Sequence, residues 1–523
     1  MNVAISQKLQ DFHNTRILLE KKESQWIYAE NGRLKLRSGF QDQSEAEARE
    51  VKQLISSLLA RVEVGIGPLT AANVQSFVFD QIFPLHPSIC DPSAMQKNPA
   101  LRAEIAKRVE ELKPEIAKDI NIVRCAERIQ EIDNRIAQVQ RQRLNPVYAL
   151  WNCGVQAVGG KADRTLERDL AFLHWHKGRE EKYCAALTEA LLGLKMNLNH
   201  ETGAEKNRWS GSFFWRSYLT NRKIGIYKPS DQDSLSPRSP YFGARLRYNL
   251  IPASNGILVS QSEKSHIAEA GARIAGEVFH QAYLAMKTDG IEMPFTEMDT
   301  IVPDTRIVEM NFSSGPTKQG IGSFQLFLKR CLPLTEAFGI DKRTFQPKAR
   351  RESAVKCQKF LPQFQWLKLL HYVIFALDDH AENTLAALNA DGQEVVALKA
   401  IDNGQSLPAA PLENGFIEKS VLSIKPLYGL KHPLAKHKIL PFFREFLRRF
   451  ISEGYLDLLA KQLYDLYQDP RNYPDGKTEK SEITAGRIRL LRERFSVLER
   501  LFVEQEEPLN ALLQFPKGNS KNK

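Results

Sequence analysis

The sequence predicts an α+β fold, with a mixed lobe of strands and helices followed by a helical lobe and preceded by an all-helical region. Up to about residue 200, apolar residues recur at helical spacing. Between residues 210 and 328, short aromatic and β-branched runs are separated by turn residues. Beyond residue 363 the helical pattern returns. Because the strands do not alternate regularly with crossover helices, a doubly wound parallel sheet is not expected.

The helical region begins with a pattern over residues 44–62 and continues with an apolar stripe over residues 101–142. Pro114 interrupts this stripe and should kink the helix or split it in two. The stripe favours a helix pair packed on itself, and a partner-binding coiled coil is the alternative. Residues 162–196 predict another long helix, and the polar stretch NLNHETGAEKN predicts a linker.

The mixed lobe opens with residues 210–228, where alternating aromatics and a Thr220-Asn221 turn predict a hairpin. A helix is expected over residues 263–287, and a short strand pair over residues 384–401 around Ala390-Asp391-Gly392. Further strands are predicted near 256–260, 301–310 and 321–328. The domains expected from these patterns are residues 1–205, 206–330, 331–515 and a flexible tail over 516–523.

Size and composition limit the class of protein. The chain has 523 residues, and single hydrophobic cores stop growing near about 250–300 residues, so several structural units are expected. Hydrophobic residues make up 42 % and charged residues 26 %, which excludes a mainly disordered or fibrous chain. The net charge of +11 suits an anionic partner such as phosphate, a lipid headgroup or nucleic acid.

Six scattered cysteines show neither a C-x-x-C motif nor a His cluster at ligand spacing, which disfavours a disulfide framework or a zinc site. A reducing, cytoplasmic compartment is therefore expected. The first residues lack the apolar core of a signal peptide. No apolar run approaches the roughly 18 residues that a membrane-spanning helix needs, so none is predicted.

Several residues follow one another in the order that phosphoryl transfer from ATP requires. The hairpin turn Ser210-Gly211-Ser212 could cover phosphates, Lys228 ends the next strand, and Glu269 follows on a helix. Asp378 and Asn383 have the D-x-x-x-x-N spacing of a kinase catalytic loop, and Asp402 follows a strand. Each residue alone could be a solvated charge or part of a turn, so the order and spacing carry the hypothesis.

Residues 209 to about 445 resemble the type II phosphatidylinositol 4-kinases. The strings AEAGA at 268–272 and GSFQLF at 322–327 are the most specific, because no general kinase rule demands them. The other matching strings are SGSFFW at 210–215, IYKP at 226–229, VPDTRIV at 302–308, DDHAENTL at 378–385 and IDNG at 401–404.

The resemblance implies a bilobal protein-kinase-like fold that uses ATP and Mg²⁺. Ser210, Gly211 and Ser212 would then belong to the phosphate-covering loop. Lys228 would bind the phosphates and pair with Glu269. Gln325, Leu326 and Phe327 would lie in the hinge beside adenine. Asp378 would be the catalytic aspartate, with Asn383 and Asp402 holding magnesium.

Two departures from that family stand out. The family's palmitoylated cysteine stretch is replaced by SDQDSLSPRSPYFGARLRYN, which contains no cysteine. The family's arginine after the catalytic aspartate is Asp379 here. A second carboxylate in that position could raise a pKa, add a metal ligand or compromise activity.

Attachment to an anionic membrane would then depend on basic side chains. Those of Lys425, Lys431, Lys436 and Lys438 lie where the resemblance places the substrate loop. Solvated charge is the alternative interpretation. The basic segments match no groove-reading module, so nucleic acid is not an expected partner.

Two further strings invite a functional interpretation. His174, Trp175 and His176 could suggest a metal site, but alternate residues of a helix point in different directions. Ordinary core and surface histidines are therefore expected. The string VEQEEPLN at 503–510 resembles the acidic translocation signals of effectors secreted by intracellular bacteria, and a capped helix end explains it equally well.

The expected function is transfer of the ATP γ-phosphate to a phosphoinositide, at the 4-hydroxyl. A Ser/Thr protein kinase is an alternative, because the phosphoryl-transfer residues are shared. A pseudokinase adaptor without turnover is a third possibility, which Asp379 keeps open.

Overall fold

The structure is a computed structural model, and it describes most of the chain between residues 99 and 514. The described residues are 27–30, 33–36, 99–157, 163–195, 212–217, 223–230, 264–294, 300–311, 319–337, 361–376, 379–389, 395–408, 430 and 433–514. They form two compact units. The first comprises Met1–Ile122, Ala185–Thr202 and Phe214–Gly225, and the second comprises Val123–Cys184, Gly203–Phe213 and Ile226–Lys523.

The N-terminal region contains a strand pair that the sequence analysis did not predict. Strands β1 (Ile27–Glu30) and β2 (Arg33–Leu36) are antiparallel, with Ile27 opposite Leu36. The prediction of an all-helical region is therefore wrong at this point. The dipeptide Asn31-Gly32 lies between the two strands in the sequence, and Asn-Gly is the strongest short hairpin signal. The predicted helix over 44–62 lies outside the described residues.

Four helices follow, α1 (Pro99–Ile116), α2 (Ile120–Arg143), α3 (Pro146–Ala157) and α4 (Thr165–Lys195). Helix α1 continues through Pro114 to Ile116, and the stripe is interrupted between Ile116 and Ile120. The predicted split is present, but it follows Pro114 rather than occurring at it.

The apolar stripe of α2 packs against α4. The buried residues of this contact are Ile132, Ile136, Val139, Leu170 and Leu173. The stripe was predicted to form a helix pair packed on itself, but the helix that α2 contacts here lies outside the stripe and begins at Thr165.

A four-stranded sheet has the order β3-β4-β6-β5. Its strands are β3 (Phe213–Arg216), β4 (Lys223–Pro229), β5 (Thr305–Asn311) and β6 (Gln319–Leu326). Strands β5 and β6 are antiparallel, with Thr305 opposite Gln325. A Cβ atom at Gly322 would lie 2.4 Å from the carbonyl oxygen of Lys228, so this glycine allows β6 to approach β4. Helix α5 (Ser265–Thr288) occupies the range predicted for it.

A second sheet has the antiparallel order β7-β8-β9, with strands Cys331–Pro333, Thr384–Leu388 and Val395–Ala400. The predicted strand pair over 384–401 is confirmed, and β7 was not predicted. A short helix α6 (Leu334–Ala337) follows β7.

The C-terminal helices enclose the main core. They are α7 (Leu361–Val373), α8 (Pro441–Ser452), α9 (Tyr455–Gln468) and α10 (Ser481–Leu498). Phe279 of α5 reaches this core, where its ring centroid lies 5.2 Å from Trp366, 5.2 Å from Phe446 and 5.1 Å from Phe450. Helix α5 is thus fixed along one side by aromatic packing.

The predicted α+β class is confirmed, because both helices and antiparallel sheets are present. Within the described part of the chain, no helix combines the length and apolar character that crossing a membrane requires.

Candidate functional site

Three residues that are far apart in the sequence meet at the side chain of Lys228. The Lys228 ammonium bonds a carboxylate oxygen of Glu269, 41 positions away, and lies 2.8 Å from Oδ1 of Asp402, 174 positions away. Glu269 is 3 % exposed, Lys228 18 % and Asp402 51 %. The predicted pairing of Lys228 with Glu269 is present, and Asp402 joins it.

The electrostatics of this cluster keep Lys228 charged. Burial by itself would lower the pKa of Lys228, but the nearby Asp402 and Glu269 carboxylates outweigh it and raise this pKa above its ordinary value. The ammonium is thus held as a cation at a partly open position. An anionic ligand could contact it without a change in its protonation.

Local packing places Glu269 opposite Lys228. Glu269 lies in the second turn of α5, within the AEAGA string. A Cβ atom at Gly271 would lie 2.5 Å from Cδ1 of Leu407, so α5 packs closely here against the segment after β9. At Gly404, a Cβ atom would lie 2.9 Å from Cβ of Ser265 at the start of α5. These close approaches bring the IDNG string against α5.

The hairpin of β8 and β9 brings Asn383 and Asp402 to the same end of the second sheet. Thr384 is opposite Ala400, and the backbone N–H of Ile401 donates to the carbonyl of Asn383 at 2.9 Å. Asp402 has left-handed backbone angles, φ 57° and ψ 47°. A non-glycine residue in this conformation is uncommon and often marks a functional site.

The residue types at this end suit a hard cation. Carboxylate and amide oxygens are the protein ligands that Mg²⁺ prefers. Asp402 is half exposed and Asn383 is half-buried. Among the described residues, no group of three or more His, Cys, Asp or Glu side chains is arranged to hold a metal. Asp402 and Asn383 supply two oxygen donors of this kind at one end of the sheet.

The predicted nucleotide-contacting residues are only partly described. Ser210 and Gly211 lie outside the described residues, and Ser212 is buried immediately before β3. Gln325 and Leu326 are buried at the end of β6, and Phe327 is half-buried beyond it. The backbone N–H of Leu326 donates to the carbonyl of Asp304 at 2.8 Å, which fixes the end of this strand.

The predicted catalytic aspartate, Asp378, lies outside the described residues, whereas its neighbour Asp379 is described. Asp379 is fully buried, and its Oδ2 lies 2.6 Å from Nζ of Lys368 and 3.4 Å from Nδ1 of His371. Burial by itself would raise the pKa of Asp379, but Lys368 and His371 lower it below its ordinary value. Burial lowers the pKa of Lys368 and of His371.

Lys368, the partner of Asp379, was not among the predicted site residues. Lys368 is a single charged residue in the apolar run WLKLLHYV of α7. Such a residue, buried by the pattern around it, needs an ion partner. That signal was available in the sequence, but the identity of the partner was not.

Other predicted surface features are located only in part. Lys425 and Lys431 lie outside the described residues, and Lys436 and Lys438 are exposed. Nζ of Lys438 lies 3.9 Å from Oε2 of Glu506, and Glu506 also pairs with Arg444. His174 is exposed, whereas His176 is half-buried with Nε2 3.3 Å from Oε1 of Glu180. The two histidines thus have different surroundings.

Comparison with known proteins adds no relative to these observations. No protein-family model matches the chain, and a search of curated proteins found no match.

Proposed function

We propose that this chain is an ATP-dependent kinase resembling the type II phosphatidylinositol 4-kinases, with a bilobal kinase-like fold. The observation that carries the proposal is the cluster of Lys228, Glu269 and Asp402. Phosphoryl transfer by kinases depends on a strand lysine paired with a helix glutamate and on a metal-binding aspartate after a strand. The proposal is supported by the pairing of Lys228 on β4 with Glu269 on α5 and by Asp402, which follows β9 and contacts Lys228.

Each residue has a role in this proposal. Lys228 contacts the phosphates of ATP, and Glu269 orients the Lys228 ammonium. Asn383 and Asp402 hold Mg²⁺, which when bound supplies charge stabilisation to the transferring phosphoryl group. Asp378 positions the acceptor hydroxyl. Ser210, Gly211 and Ser212 cover the phosphates, and Gln325, Leu326 and Phe327 border the adenine.

The burial of Asp379 favours an active enzyme over a pseudokinase adaptor. Its carboxylate is paired with Lys368 inside the protein, where it is 0 % exposed. A carboxylate in that position neither ligates a metal at an open site nor adds a solvated negative charge beside Asp378. The departure from the family at this position therefore leaves the proposed metal site unchanged.

The proposed acceptor is a hydroxyl of a phosphoinositide in an anionic membrane. The chain would reach this membrane from the cytoplasm, or from the cytosol of a host cell into which it is secreted. A Ser/Thr protein acceptor is the alternative. The sequence favours this alternative in one respect. The segment SDQDSLSPRSPYFGARLRYN contains no cysteine, so acylation of this segment cannot anchor the chain to a membrane.

The deciding experiment incubates the full chain with labelled ATP, Mg²⁺ and either phosphoinositide liposomes or a protein mixture. We expect label in the lipid, and loss of that label in Asp378→Ala. Label only in protein would select the alternative acceptor. Absence of transfer together with absence of Mg²⁺-dependent ATP binding would overturn the proposal.

Membrane attachment is tested separately. Neutralising Lys425, Lys431, Lys436 and Lys438 together should weaken binding to anionic liposomes, since each cation near such a surface contributes about 1 kcal/mol. Binding should also fall as salt rises, because the surface attraction decays within a Debye length of about 8–10 Å. ATP binding should not change. Binding that ignores both salt and these lysines would contradict this mechanism of attachment.

A further inference from the structure

A buried cluster of charges connects α4 to the helix that carries Glu269. Glu180 of α4 is 0 % exposed. Its Oε1 pairs with Arg306 of β5, and its Oε2 lies 3.3 Å from Nε of Arg128 in α2. A carboxylate buried in this way must be held by cations, because an unpaired buried charge is strongly destabilising.

The neighbouring residue extends the cluster to α5. Arg179 makes a bidentate pair with Asp304, at 2.9 Å from Nε to Oδ2 and 2.5 Å from Nη2 to Oδ1. Its Nη1 lies 3.8 Å from Oε1 of Glu277 on α5. The Glu277 carboxylate also accepts from Arg273 at 2.5 Å. Bidentate arginine pairs fix geometry as well as charge.

Two further contacts of α4 bear on the same lobe. The rings of Trp175 on α4 and His280 on α5 are 4.2 Å apart between centroids. The hydroxyl of Tyr183, which is fully buried, donates to the carbonyl of Phe324 in β6 at 3.2 Å. Phe324 belongs to the GSFQLF string that is proposed to border the adenine. Helix α4 therefore contacts α5, the edge strand β5 and its neighbour β6.

The position of α5 along its axis determines where Glu269 lies. Glu277 follows Glu269 by eight residues, which is about 12 Å along a helix. The aromatic core holds α5 through Phe279 on one side. Contacts from α4 hold it at Glu277 and His280. A helix held at both places cannot rotate or slide without breaking buried ion pairs.

We propose that α4 is a built-in support for α5, and that Arg179 and Glu180 are positioning residues for the Lys228–Glu269 pair. The catalytic importance of this support rests on the proposed function. Whether α4 holds α5 in place can be measured without any enzyme activity. The helical segment before the mixed lobe then has a definite role. It fixes the helix whose placement controls kinase activity.

The test measures how fast an amine-acylating reagent labels Lys228 in the full chain, followed by mass spectrometry. The Lys228 amine is held against the buried Glu269 carboxylate, so a helix that shifts away from it leaves this amine more accessible to the reagent. We expect Arg179→Met to raise the labelling rate of Lys228 by at least about threefold through this added access. A rate equal to that of the wild type would overturn the proposal.

Lys177→Met is the matched control. Lys177 lies two residues from Arg179 on the same helix, but its Nζ pairs with Asp133 of α2 at 2.6 Å. This variant should leave Lys228 labelling unchanged. If Arg179→Met does not fold, judged by circular dichroism and thermal unfolding, Arg179→Met combined with Asp304→Asn takes its place. Removing both partners avoids an unpaired buried carboxylate at that pair.

A double-mutant cycle with Glu269→Ala separates positioning from general loosening. If Arg179 acts through Glu269, adding Arg179→Met to Glu269→Ala should not raise Lys228 labelling further. Independent effects that multiply would overturn the proposal. If the wild type neither transfers phosphate nor binds ATP, the proposed function fails, while the labelling cycle still decides whether α4 positions α5.

Discussion

Lys228 and Lys368 both bind carboxylates, but their surroundings are opposite. Lys228 is 18 % exposed, and its partner Asp402 is 51 % exposed. Lys368 and its partner Asp379 are both 0 % exposed, with His371 at 2 %. In the open cluster of Lys228, Glu269 and Asp402, the two carboxylates outweigh the effect of burial and raise the pKa of Lys228. In the closed cluster of Lys368, Asp379 and His371, the Asp379 carboxylate does not outweigh burial, and the pKa of Lys368 is lowered.

The difference shows that burial decides whether a lysine–carboxylate pair suits ligand binding or a structural role. A lysine at an open position can exchange a carboxylate for a phosphate, since water and ligands reach it. A lysine that is sealed in the interior with an aspartate cannot do so without separating a buried ion pair. Lys228 is thus suited to binding a ligand, and Lys368 to holding the segment at Asp379. The two clusters should therefore respond differently to the same kind of substitution.

The largest effect is expected from Lys368→Met. This change leaves the Asp379 carboxylate without its cation inside the protein, and breaking a buried pair in this way costs about 3–5 kcal/mol. Urea unfolding should show that loss in the free energy of unfolding. The double variant Lys368→Met with Asp379→Leu should recover most of it. A single variant as stable as the wild type would contradict the role given to the closed cluster.

Lys228→Met should have the opposite profile. We expect phosphoryl transfer to fall about 10²–10³-fold, the range for removing one electrostatic stabiliser of a transition state. The thermal midpoint should fall less than in Lys368→Met, because Lys228 and Asp402 are partly solvated, although Glu269 is buried. Lys223→Met on the same strand is the control, since Lys223 lies over the Phe214 ring at 3.8 Å. Full activity in Lys228→Met would remove Lys228 from the proposed site.

Asp402→Asn and Asp379→Asn should separate metal binding from stability. Asn keeps an oxygen ligand and tolerates the left-handed backbone of residue 402, but it removes the charge. We expect Asp402→Asn to need about tenfold more Mg²⁺ for half-maximal transfer, equivalent to about 1.4 kcal/mol. Asp379→Asn should lower stability and leave the Mg²⁺ titration unchanged. A matching Mg²⁺ shift in both variants would show that Asp379 acts at the metal.

The smallest effect is expected in the pH dependence of stability. The folded pKa of Asp379 is lowered below its ordinary value of 3.8. Its contribution is therefore fully present above pH 3.8 and is lost as pH falls through the lowered pKa. Each tenfold difference in proton affinity is worth about 1.4 kcal/mol. Unfolding of the wild type and of Asp379→Asn should converge in acid, and a gap that stays constant to pH 2 would contradict this.

Much of the fold could be predicted because it follows from local patterns. The helix that starts at Ser265 and the strand pair around Asp391 were expected from spacing and turn residues. The β1–β2 pair was missed although Asn31-Gly32 is a strong signal, because the helical pattern around it dominated the interpretation. Strand β7 was missed because three residues carry too little periodicity to be recognised.

The candidate site could be predicted as a set of residues but not as a geometry. Order and spacing singled out Lys228, Glu269 and Asp402. Side-chain direction decides the rest. It brings Asp402 into direct contact with Lys228, and it directs Asp379 into the interior, where it pairs with Lys368. The charge cluster of Arg179 and Glu180 gave no signal, because charged residues on a long helix usually face solvent.

The sequence by itself determined where the helices and strands form, since periodicity and turn chemistry act over a few residues. It also determined which residue types stand in each proposed catalytic place. Only the tertiary structure decided which charges are open and which are sealed. That choice depends on contacts between residues far apart in the sequence, such as Lys228 and Asp402, 174 positions apart, and Arg179 and Asp304, 125 positions apart. Burial sets the cost of every charge, and burial is a property of the packed chain rather than of any segment.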